Sequence, residues 1–252
     1  MRVDEIIKAV RWCIDEEAMN AAGIADVSAY DFDGGTHTDE GMMNNIIKSK
    51  IGDALRWICL YAPSDLLGGT DEYVTTTSPN DTPVPTGILV DMPASGTLVP
   101  TAISGTSAGK LTMPADFVKL ARIRVAGWNR SVKDLITEDS EEYLQLYDTN
   151  GATATADRPQ AVLIEKSTRE IEVWPTGTSV EYTYVAAVDA QEHVRGTGTE
   201  QDPYVYYYAI PPRVKTSFIY YLAFLLLSAY ADGRSENMLK IAMQNLNITN
   251  KQ

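Results

Sequence analysis

Leu111-Thr-Met-Pro-Ala-Asp-Phe-Val-Lys-Leu-Ala-Arg-Ile-Arg-Val-Ala-Gly-Trp-Asn-Arg130 is the stretch that decides the fold class. Residues 117–125 alternate as a half-buried strand does, with Phe117, Ala121, Ile123 and Val125 on one face and Arg122 and Arg124 on the other. Gly127 and Trp128 then make a turn that is expected to expose an aromatic residue at the strand end. Downstream, 161–166, 171–174 and 180–187 are short apolar runs separated by turns at 167–169 and 176–178, which predicts a three-stranded antiparallel meander. A short helix fits 139–147.

On both sides of this β-rich middle the period changes to that of helices. In 4–22, Ile6, Val10, Cys13, Ile14 and Ala21 share one face, and Trp12 projects from the polar side. A second helix is expected over 40–61, with Met43, Ile47, Ile51, Ala54, Leu55 and Ile58 on one face and Pro63 ending it. Near the other end, Pro211 and Pro212 open an almost entirely apolar helix to about 231. Gly233 fits its C-cap, and Ser235 fits the N-cap of a last helix over 236–247. The class is therefore α+β. Residues 1–62 and 205–252 form the helical part, and 63–204 form a β-rich insertion that includes a long loop or arm at about 64–109 with one or two short strands.

Composition narrows the function. The chain has 252 residues, 44% of them hydrophobic, and carries a net charge of -13 with a pI near 4.6. That is material for a core, and the wrong sign for gripping nucleic acid, which needs Lys and Arg to displace phosphate counterions. Cys13 and Cys59 are the two cysteines, too few for a disulfide framework or a cysteine zinc site. The N-terminus lacks the apolar core of a signal peptide. The apolar run 216–231 is shorter than the roughly 20 residues that span a bilayer, so a buried helix is expected and no membrane partner.

Motifs for chemistry are scarce. Gly105-Thr-Ser-Ala-Gly-Lys-Leu111 resembles a phosphate loop but lacks the Ser or Thr after the Lys and leads into Met-Pro rather than a helix. Asp31-Phe-Asp-Gly-Gly35 starts like a calcium loop, yet no Glu closes it at the twelfth position. His37 and His193 lie in polar stretches without a partner that would make a metal pair or a nucleophile-base pair. No catalytic residue, cofactor or metal site is assigned. Aromatic residues in irregular places are the unusual feature. Tyr204-Val-Tyr-Tyr-Tyr208 reads either as an interface or as a core-facing strand, and both readings stand.

Leu111, Pro114, Asp116 and Phe117, then Gly127 and Trp128, Glu142, Arg158 and Pro159, and Ile171, Val173 and Pro175 occur in an order that resembles the head-to-tail connector proteins of tailed bacteriophages, including the tail tubular protein A group of short-tailed phages. The sequence departs from that pattern with Asn129-Arg130-Ser131 where many relatives have Arg-Pro. The resemblance implies a helical bundle body carrying an antiparallel β-sheet or β-barrel, without enzymatic activity. It implies a viral structural protein in the neck or tail of the virion, assembled in the host cytoplasm. Expected partners are further copies in a homo-oligomeric ring of twelve, the portal protein, and other tail or ring proteins, with DNA only as passing cargo. A closing ring requires two different complementary faces on each subunit. Candidate interface residues are Trp12, Trp128, Arg130, Tyr204, Tyr206 and Tyr207, with Asn245, Asn247 and Lys251 in a polar tail that either grips the portal or frays. The alternatives are another neck, head-completion or tail-attachment component, or a ligand-binding or enzymatic α+β domain.

Overall fold

The computed structural model describes residues 1–14, 38–68, 88–92, 98–147, 154–165, 169–187, 193–196, 198 and 204–247. The elements in chain order are α1 (Val3–Ile14), α2 (Thr38–Tyr61), β1 (Leu89–Met92), β2 (Thr101–Ala102), β3 (Gly109–Thr112), β4 (Phe117–Val125), β5 (Ile136–Thr137), α3 (Glu141–Tyr147), β6 (Gln160–Glu165), β7 (Glu170–Trp174), β8 (Val180–Ala186), β9 (His193–Arg195), β10 (Val205–Tyr207), α4 (Lys215–Ala229) and α5 (Ser235–Asn245). The protein is mixed α+β. It divides into one unit made of Met1–Ile88 with Val188–Gln252 and a second made of Leu89–Ala187. The division falls at 88/89 and 187/188, where the sequence reading sets boundaries at 62/63 and 204/205. Among the described residues, the short 3-10 turn Ser64–Leu66 and the strand β9 lie on the helical side of that division.

In the helical unit, α4 touches α1, α2 and α5. Its apolar residues encircle it, so no side can face water without loss, and neighbours bury Phe218, Ile219, Leu222, Ala223, Leu226 and Leu227. α1 contributes Val3, Ile6, Ile7 and Val10, and α2 contributes Ile47, Ile51, Ala54, Leu55 and Ile58. The ends of the helices differ from expectation. α4 closes with Ala231, not Gly233, in the left-handed region at φ 53°, while the amides of Ala231 and Asp232 bond to the carbonyls of Ser228 and Leu227. Ser235 is the first helical residue of α5, not its cap. The Asp232 carboxylate does the local work instead, accepting from the Arg234 amide at 2.9 Å and from its guanidinium at 2.8 Å. Those bonds hold the Asp232 carboxyl down at about 2. Arg234 Nη1 also donates to the Ile14 carbonyl at 2.9 Å, a cation at the C-terminus of α1 where the helix dipole favours it.

The second unit packs two sheets face to face. One has strand order β1-β8-β4, the other β2-β3-β7-β6-β5, with β5–β6 the parallel pair. Leu111, Met113, Ile123, Val125, Ile171, Val173, Tyr182 and Tyr184 form one buried cluster drawn from both sheets. The expected meander is therefore corrected. β6 and β7 do pair, but β8 pairs with β1 and β4, because β3 and β6 already occupy both edges of β7. β3 begins at Gly109, the last residue of the stretch read as a loop, and β1 and β2 are the short strands expected within 64–109. Among the described residues no sheet closes into a barrel.

Candidate functional site

The sequence run that carries the resemblance builds a single framework inside the sheet unit. Trp128 is not displayed: it is 2% exposed, and its indole Nε1 donates to the Pro175 carbonyl at 2.7 Å. Its place as an interface candidate is withdrawn. A Trp after a turn reads as exposed only if nothing folds over it, and here the end of β7 does. Gly127, at φ 97°, gives the turn a conformation that a side chain resists, and a Cβ on Gly177 would collide with the Ala126 carbonyl oxygen. Asp116 accepts from the Tyr184 hydroxyl at 3.0 and 3.2 Å. Burial and that carboxylate push the Tyr184 hydroxyl up to about 12, so it stays protonated and donating at neutral pH.

On the far face of the five-stranded sheet, buried Glu172 on β7 accepts from Tyr143 at 3.2 Å and Tyr147 at 3.0 Å, both on α3. Burial comes first, and the neighbouring Glu172 carboxylate adds to it, in raising both phenols. Tyr147 also stands edge-on to Trp174 with centroids 5.0 Å apart, and Ser140 caps α3 through the Tyr143 amide. Neutral phenols donating to a carboxylate fasten a helix to a sheet; they lack the pH-matched proton affinity of a general base.

The remaining sequence candidates scatter. Trp12 is 56% exposed on α1, on the side the sequence reading assigns it. Arg130 is exposed in the sheet unit. Tyr204 and Tyr206 are exposed, Tyr207 is half-buried and Tyr208 is buried, so the tyrosine run is a strand residue series that turns two rings outward and only Tyr208 inward. Asn245 is the last residue of α5, its side chain donating to the Ile241 carbonyl at 2.9 Å. Leu246 is fully buried, so the tail begins at Asn247 rather than at Asn245. Lys251, His37 and Asp31 to Gly35 lie outside the described residues. His193 opens a strand rather than sitting in a loop. The phosphate-loop lookalike is the β2–β3 turn, with the Thr106 hydroxyl bonded to the Ile103 carbonyl and Lys110 paired with Glu170 at 2.7 Å.

One cluster escaped the sequence reading. Trp57 on α2 stacks on Tyr221 of α4 with centroids 4.1 Å apart and planes 8° from parallel, and Tyr61 and Phe224 adjoin the pair. Tyr61 and its neighbour Leu60 are more than half exposed. The i, i+4 spacing of Trp57 and Tyr61 was legible, but no local signal links them to a helix 160 residues further on. A surface cavity of about 310 Å³ is lined by Arg124, Val125, Ala126, Gly127, Trp128, Ser179 and Glu181. Among the described residues no group of three His, Cys, Asp or Glu side chains is placed to hold a metal ion, and no helix is long and apolar enough to cross a membrane. No family model, curated protein or solved structure matches the chain.

Proposed function

We propose that this chain is a structural virion protein, a connector that closes into a homo-oligomeric ring between the portal and the tail of a bacteriophage and lines the path of the exiting DNA. The observation that carries the reading is the organisation of the chain: a unit built from both ends of the sequence, rich in helices, is interrupted by Leu89–Ala187, and that second unit contains every residue of the connector-like pattern. That organisation supports the helical bundle body with an inserted β domain that the resemblance implies. The exposed Trp12, Leu60, Tyr61, Tyr204 and Tyr206 support it further, since large hydrophobic side chains left in water favour assembly.

The test is native mass spectrometry and negative-stain imaging of the purified chain, alone and with the portal of the same phage. Closed rings, or a stable portal complex, are the expected result. A monomer at high concentration that also ignores the portal would refute the proposal. Removing residues 247–252, which spares buried Leu246, is expected to leave the fold intact and weaken portal attachment. Unchanged attachment removes the tail from the mechanism.

A further inference from the structure

The outer face of β4 holds cations that form no ion pair among the described residues. Between Phe117 and Lys133 the sequence has no acidic residue, although the chain carries 34 acidic against 21 basic side chains. Arg122 and Arg124 are exposed on that face, opposite in register to Thr183 and Glu181 of β8. An antiparallel bridge joins Ile123 to Val132, with both backbone bonds at 2.8 Å, and so sets Lys133 across from Arg122 on the same outward side. Like charges directly opposite each other destabilise a sheet. Arg124 turns its Nε to the Trp128 carbonyl at 3.3 Å, and Arg122 reaches the Thr183 hydroxyl at 3.4 Å. Among the described residues no carboxylate lies within ion-pair distance of Arg122, Arg124, Arg130 or Lys133, whereas Arg2, Lys50, Lys110 and Arg234 all have one.

The opposite side of the same unit has the complementary charge. Ile171 and Val173 of β7 face the other sheet, so Glu172, Trp174 and the helix α3 lie on the far side of the sandwich. At the start of α3, Glu138, Asp139, Glu141 and Glu142 are all exposed. We propose that the outer face of β4, with Arg122, Arg124, Arg130 and Lys133, docks the exposed carboxylates of residues 138–142 on a second copy of this chain. The two patches lie on opposite sides of one rigid sandwich, so the contact is head-to-tail and propagates from copy to copy, as a closing ring requires. Complementary fields of this kind steer encounter and set the register. The inference deepens the ring reading and rests on it for closure, but not for the contact itself.

A charge exchange tests the contact. Arg122→Glu with Arg124→Glu cancels the basic patch of one copy and leaves its acidic patch intact, and Glu141→Lys with Glu142→Lys cancels the acidic patch of another and leaves its basic patch intact, so the intact patches of the two variants can still meet. All four positions are exposed, so thermal melting should show both variants folded; in the first, relief of the Arg122–Lys133 repulsion is offset by a carboxylate at 124 facing Glu181. In sedimentation at low salt, each variant alone should self-associate roughly tenfold or more weakly than the parent, and the 1:1 mixture should recover association. Rising salt should weaken the parent and the mixture alike, since exposed charges are screened beyond about 8 Å at physiological ionic strength. Rings that form unchanged from either variant overturn this contact and leave the ring proposal standing. Failure of the mixture to associate overturns the contact whatever the parent does. Binding of double-stranded DNA by the parent, lost on Arg122→Glu with Arg124→Glu while self-association is unchanged, assigns the strip to nucleic acid and also overturns it.

Discussion

The helical unit and the sheet unit bury their cores by different routes. In the first, one helix without a polar face, α4, meets α1, α2 and α5, and α1 and α2 supply stripes readable from their own spacing. In the second, the core is a product of pairing between segments far apart in sequence: β3 with β7, β1 with β8, and a Trp128 indole on the Pro175 carbonyl. The contrast teaches where each unit is fragile. The helical unit depends on a few apolar positions along one element, and the sheet unit depends on specific long-range polar and turn contacts.

The largest expected effect comes from Leu222→Asp. Leu222 is fully buried at the centre of α4, and an unpaired carboxylate there costs several kcal/mol against a typical total of roughly 5–15 kcal/mol. Hydrogen exchange should show α1, α2, α4 and α5 losing protection. If β4, β7 and β8 keep theirs, the two cores are energetically separate; if they lose it together, the comparison between units collapses into one cooperative fold. Trp128→Ala should come next, at about 3–5 kcal/mol from the lost packing, with Trp128→Phe nearer about 1 kcal/mol because mainly the bond to Pro175 is removed. Chemical denaturation measures both, and equal losses for the two variants would mean that the indole N–H, not the ring volume, holds the turn.

A smaller effect lies in alkaline pH. The folded Tyr184 titrates near 12, above the usual phenol value of 10, so its contribution is fully present below about 10 and is lost as pH rises through 10 to 12. Melting temperature measured across that range should fall less steeply in Tyr184→Phe, and an identical slope would remove Tyr184 from the alkaline transition. The smallest change is a gain. Ala231 holds a left-handed conformation at the end of α4, so Ala231→Gly should raise stability by about 1 kcal/mol or less in equilibrium unfolding. A loss instead would show that the Ala231 methyl packs usefully.

Helices α1 and α2 were legible because a core-facing stripe repeats every three to four residues within one segment, with Pro63 ending the second, and α4 because an almost wholly apolar run follows the Pro211–Pro212 pair. The aromatic platform was not, because Trp57 and Tyr221 meet only after α2 and α4 pack. The caps were misread by a residue or two: Gly233 and Ser235 are good cap residues by type, but the helices end and begin where backbone bonds to Leu227 and Asp232 happen to close.

By itself the sequence determined the α+β class, the strand Phe117–Val125 with its outward Arg122 and Arg124, the β6–β7 hairpin, and the place of Trp12 on the polar side of α1, since each follows from local period and turn chemistry. Only the tertiary structure decided that β8 joins β4 rather than β7, that Trp128 is core, that Leu246 is core and so shortens the tail, and that the cations of β4 and the carboxylates of 138–142 fall on opposite sides of one sandwich. Strand partners are chosen by which edges remain unpaired once the other strands have docked, and exposure is set by what folds over a residue; neither quantity is carried by the neighbours of that residue in the chain.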